Sequence, residues 1–133
     1  MLEGIKEKIT GYFEDKKPVL IYIFGSYARG TEAMESDIDI AVLLEDEIDD
    51  MDLYNYKKNL VDILEAEVDL IDLKSANIIL QNQIVTKGVN IYCRNELERG
   101  EYKYRIICSY SQYKEDTEVV RKSIKERGWV WKK

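Results

Sequence analysis

The order of apolar patterns along this chain predicts an α/β (α+β) fold, a small mixed sheet flanked by helices. Short runs rich in β-branched and aromatic residues alternate with longer stretches of helical spacing. At 133 residues the chain is long enough for one continuous core and short for two. No internal repeat, low-complexity tract or Pro/Gly/Ser linker divides it. A single domain over 1–133 is expected, with a C-terminal helical segment from about residue 96.

The elements follow in order. Ile5, Ile9, Tyr12 and Phe13 fall at helical spacing within 2–15, with charges between them. Pro18 ends that helix and opens an extended segment. Val19 to Phe24 is too short and too β-branched for a helix and reads as a buried strand. It stops at Gly25-Ser26, and the small and polar residues to Ser36 predict a turn or helical piece followed by a loop. Asp37 to Leu44 reads as a second strand. Alternation puts Ile38, Ile40, Val42 and Leu44 on one face, and Asp37, Asp39, Ala41 and Leu43 on the other.

An acidic linker, Glu45 to Asp52, leads to a helix near 52–65, with Leu53, Tyr56, Leu60 and Ile63/Leu64 on one side. Val68 to Leu73 is a third strand, in which Val68 and Leu70 share a face and Asp69 points away. A helix near 76–86 and a brief strand, Val89 to Tyr92, come next. The polar stretch 96–127 reads as helical, with Tyr102, Tyr104, Tyr110 and Tyr113 interspersed. These tyrosines suit either a docking surface or ordinary packing of the last helix.

Composition excludes several chemistries. With no histidine, Ser-His-Asp and Cys-His systems, most zinc sites and every histidine base are ruled out. Carboxylates, hydroxyls, Lys, Arg or an oxygen-held metal must do any chemistry. A net charge of −6 disfavours a nucleic-acid grip, so no nucleic-acid partner is expected. No apolar run approaches the roughly 20 residues that span a bilayer, and the first residues carry no signal-like stretch. The expectation is a cytoplasmic protein without a membrane partner, in which Cys93 and Cys108 are reduced thiols.

The chemistry concentrates between Phe24 and Asp39. A glycine after a buried strand permits a tight turn and close approach of backbone to ligand. A helical turn starting at Ser26 would aim free N–H groups and a hydroxyl at phosphate oxygens, with Arg29 adding a cation. Asp37 and Asp39, two apart on a strand, project from one face. Adjacent carboxylates repel unless a cation lies between them. Oxygen ligands of this kind suit magnesium shared with substrate phosphates. No glycine and distal glutamate follow at EF-hand spacing. Asp69 joins the pair if its strand lies beside Asp37–Leu44 with apolar faces aligned, whereas Asp72 has the opposite parity. Three such carboxylates can hold two metal ions across an in-line displacement.

Gly25-Ser26, followed after ten residues by Asp37-Ile38-Asp39, resembles the signature of the DNA polymerase β-like nucleotidyltransferase superfamily. Glu67-Val68-Asp69-Leu70 resembles its third acidic position. Phe24 to Gly30 and Ser36 to Val42 are most similar to the minimal nucleotidyltransferases, many of them MntA-type antitoxins encoded with a HEPN-domain toxin. The resemblance runs from about 18 to 94.

It implies the polymerase β-like fold, with Asp37, Asp39 and Asp69 as catalytic residues and ligands of two Mg²⁺ ions. Asp69 would also help deprotonate the acceptor hydroxyl. Gly25 and Ser26 would hold the terminal phosphates of ATP, supported by Arg29. The implied reaction transfers AMP from ATP to a toxin tyrosine, with the HEPN toxin as partner and this chain as antitoxin. Larger members carry a second helical domain, for which only the segment after Asn95 stands here. Modification of a small-molecule hydroxyl and a purely binding antitoxin are the competing expectations.

Overall fold

A computed structural model describes residues 2–25 and 37–127. Its elements are α1 (Leu2–Phe13), β1 (Pro18–Phe24), β2 (Ile38–Leu44), α2 (Asp50–Leu64), β3 (Val68–Asp72), α3 (Ile78–Lys87), β4 (Val89–Cys93) and α4 (Glu96–Arg127). The expected element order holds, and the fold is the mixed α/β architecture expected. Residues 26–36, where a turn and loop were expected, lie outside the described residues.

Most boundaries shift by one or two residues, and the start of α2 moved for a clear reason. The acidic run before α2 was expected to be linker, yet the helix begins at Asp50. Asp49 Oδ1 accepts the Asp52 backbone N–H at 2.8 Å, and Asp52 Oδ2 accepts the Asp49 N–H at 3.4 Å. This reciprocal cap satisfies two free donors, and the acids of the first turn complement the positive helix end. Asn77 caps α3 in one direction only, its Oδ1 accepting Leu80 N–H at 2.9 Å.

The sheet order is β3-β2-β1-β4. β1 runs antiparallel to both β2 and β4, while β2 and β3 are parallel. Helices cover both faces. Ile9 and Phe13 of α1 and Leu60 of α2 pack on Ile21, Ile23, Ile38, Ile40, Val42, Val68 and Leu70. Opposite them, Ile84 and Val85 of α3 and Tyr102 and Ile106 of α4 pack on Leu20, Tyr22 and Ala41. β1 is therefore buried on both sides, which explains its unbroken apolar run. Each fully buried Ile or Leu contributes about 1.5–3 kcal/mol relative to an exposed one.

The α3–β4 junction depends on a glycine for space, not for backbone angle. A Cβ on Gly88 would stand 2.6 Å from the Ile84 carbonyl oxygen and 3.4 Å from that of Ile23. Next to it β4 bulges, and Asn90 Nδ2 donates to the Ile21 and Tyr92 carbonyls at 3.1 and 2.8 Å.

The tyrosines of α4 differ in burial. Tyr102 is buried, donates to Gln81 Oε1 at 3.0 Å, and burial pushes its hydroxyl up to about 12. Tyr104 is 73% exposed and Tyr113 is 42% exposed. Cys93 and Cys108 are both free thiols. Among the described residues, no helix is long and apolar enough to cross a membrane.

Candidate active site

The site grows from the sheet register. In the parallel ladder of β2 and β3, Asp39 is paired with Asp69, between the rungs Ile38–Val68 and Ile40–Leu70. Residues paired this way project from the same face, on strands about 4.8 Å apart. The apolar partners on either side are buried in the α1/α2 core. The two acids consequently face the side covered further along by α3 and α4.

On its other flank β2 pairs with β1, and the last rung is Phe24 with Asp39. The chain then turns at Gly25, with φ +73°. A Cβ on Gly25 would fall 2.1 Å from Asp39 Oδ2, so the bend lies directly against that carboxylate. The structure thus brings Gly25, Asp39 and Asp69 together at one corner of the sheet.

Asp37 immediately precedes β2, two residues before Asp39 and exposed. The start of β2 is pinned by Ile38 N–H, which donates to the Glu67 carbonyl at 3.0 Å. Asp69 is exposed and Asp39 half-buried. Ser26 and Arg29, the other predicted phosphate ligands, lie outside the described residues. Asp72 falls on the opposite face from Asp69, as its parity requires. There it closes the turn after β3, accepting Lys74 N–H at 3.2 Å and the Ser75 hydroxyl at 3.1 Å.

A divalent ion suits this donor set. Among the described residues no three acidic or thiol groups are gathered into a ready-made cage. Magnesium does not need one, because it commonly takes one or two carboxylates and completes its shell with water and substrate phosphates. Two carboxylates on one rung of neighbouring strands, with an adjacent backbone bend, match that mode. Phe24 borders the acids as well. Composition and length marked Phe24 as strand, but they do not say which rung it shares. A larger groove, about 860 Å³, lies at the far end of the sheet between Val19, Leu44 and α4 residues such as Tyr104. It is remote from the acid pair along β1 and β2.

Residues 7–97 match the family described as Polymerase beta, Nucleotidyltransferase. The chain belongs to that family. This polymerase beta nucleotidyltransferase is 42% identical over 89 residues to the protein adenylyltransferase MntA of Shewanella oneidensis. The match covers 65% of this chain and 64% of MntA, so it spans just under two thirds of that relative. Among solved structures, the nucleotidyltransferase superposes on a chain of a toxin–antitoxin crystal structure with AMP-PNP. The TM-score is 0.82 at 32% identity, covering 90% of this chain and 97% of the other. A second neighbour comes from a complex of MNT antitoxin with the tri-AMPylated HEPN toxin of Shewanella oneidensis. There the TM-score is 0.78 at 29% identity, covering 93% and 98%.

Proposed function

We propose that this nucleotidyltransferase transfers AMP from ATP to a tyrosine hydroxyl of a HEPN-family toxin, in a magnesium-dependent reaction, and so acts as the antitoxin of a pair. The observation that carries the reading is the Asp39–Asp69 rung beside the Gly25 bend. It is supported by MntA, a protein adenylyltransferase, and by neighbours solved with AMP-PNP and with an AMPylated toxin. The cytoplasm, where ATP is plentiful and thiols stay reduced, suits the two free cysteines.

In this reading Asp37, Asp39 and Asp69 would hold two Mg²⁺ ions. Bound there, the ions would neutralise the triphosphate and stabilise the attacking and leaving oxygens of an in-line displacement. Gly25 and Ser26 present backbone and hydroxyl to the terminal phosphates, and Arg29 adds positive charge. Asp69 orients the acceptor and takes the proton from the tyrosine hydroxyl as its oxygen bonds to the α-phosphorus. The bond from that phosphorus to the β-bridging oxygen breaks, and pyrophosphate leaves.

The test is incubation with magnesium and ATP labelled at the α-phosphate, with and without a HEPN toxin. Label on a toxin tyrosine is expected, and Asp37→Asn should abolish it while the fold persists. Label on a small molecule instead would replace the toxin by a soluble acceptor. Toxin inhibition without any label would make the chain a binding antitoxin only.

A further inference from the structure

We infer that Gly25 is a positioning residue for Asp39, its missing side chain being the space into which the Asp39 carboxylate folds. The three heavy atoms nearest to a Cβ built on Gly25 all belong to Asp39: Oδ2 at 2.1 Å, Cγ at 3.2 Å and Cβ at 3.6 Å. Among the described residues other than its chain neighbours, nothing else lies so close to that position. The cause is the register. Phe24 and Asp39 form the last rung of β1 and β2, and the turn at φ +73° carries the chain across the end of that rung. The bend and the acid therefore occupy one layer, with room for one side chain between them.

This goes beyond a role for Gly25 in phosphate binding, where glycine is needed so that backbone can reach a ligand. It also separates two reasons for glycine that usually travel together. A positive φ strains any residue with a Cβ, but asparagine tolerates that region better than most. A collision with Asp39 penalises asparagine and alanine alike. Because a carboxylate can rotate, the added methyl would swing Asp39 away from Asp69 rather than unfold the sheet. The effect on cation binding rests on the function proposed above; the packing relation does not.

Two measurements on the full chain decide it. Thermal unfolding is compared for Gly25→Ala and Gly25→Asn, each in the wild type and in Asp39→Ala. Residues that share one space are non-additive. Both Gly25 variants should lower Tm in the wild type by about 2 °C more than in Asp39→Ala, the small margin that a rotating carboxylate leaves. Equal losses in both backgrounds, clear tolerance of asparagine alone, or failure of the double variants to fold would place the need for glycine in the backbone and overturn the inference. Manganese binding, followed by electron paramagnetic resonance, reads the consequence. Gly25→Ala should weaken it about 10-fold or more, the range found when the support of a metal ligand is removed. It should cause no additional loss in Asp39→Ala. Coupling in Tm together with a wild type that binds no manganese would uphold the packing relation while refuting the metal-dependent function.

Discussion

The two faces of β2 differ in how far their core extends. On the α1/α2 side Ile38, Ile40, Val42 and Leu44 are all buried, from the first residue of the strand to the last. On the α3/α4 side burial begins only at Ala41, and the positions before it are Asp39 and Asp37. One face stabilises the strand along its whole length. The other gives up its first rungs to carboxylates, which is tolerable because the opposite face already fixes the register. The proposed site sits where one helical layer leaves the sheet bare and the other does not.

Predictions sharpen that contrast. Asp39→Asn should cut AMP transfer about 100- to 1000-fold, the range for losing one preorganised electrostatic partner. The same variant should leave Tm close to that of the wild type, as read by calorimetry. A large fall in Tm would mean that the acid face supports the strand after all. Ile40→Ala, on the rung next to Asp39 and fully buried, should behave in reverse. It should cost about 2–5 kcal/mol in denaturant unfolding, with the residual folded fraction still able to transfer AMP.

The capped helices give a smaller effect. Asn77→Ala removes the acceptor for Leu80 N–H and should cost about 1 kcal/mol, measurable as a shift in urea midpoint.

A pH effect comes from the covered half of the α3/α4 face. Burial raises the Tyr102 hydroxyl from its ordinary 10.0 to about 12. The unfolded chain then gives up this proton first as pH rises, so stability should fall between about pH 10 and about pH 12. Tyr102→Phe should flatten that fall in alkaline denaturation, at the cost of the hydrogen bond to Gln81. An unchanged alkaline slope would remove the assignment.

Much of this was legible in the sequence because strands and helices bury with different periods. Ile38, Ile40, Val42 and Leu44 announced one covered face, and Asp69 against Val68 and Leu70 announced which acid shares a side with Asp39. Parity also separated Asp72, which closes a turn. Other features depend on partners that periodicity does not name. Alternation cannot say that β2 pairs parallel with β3 and antiparallel with β1, so neither the Asp39–Asp69 rung nor the Phe24–Asp39 rung could be read in advance. The early start of α2 was hidden because an acidic run looks like linker until one of its members is recognised as a cap. Tyr102 and Tyr104 were indistinguishable by composition, and only the packing of α4 buries one and exposes the other.

The most direct test is crystallographic. Crystals grown with manganese and a non-hydrolysable ATP analogue would be measured at the manganese absorption edge. The account predicts anomalous density within bonding distance of the Asp39 and Asp69 carboxylates, with the analogue's phosphates against the turn that begins at Gly25. Metal bound elsewhere, or Asp69 directed away from Asp39 with nucleotide in place, would contradict it.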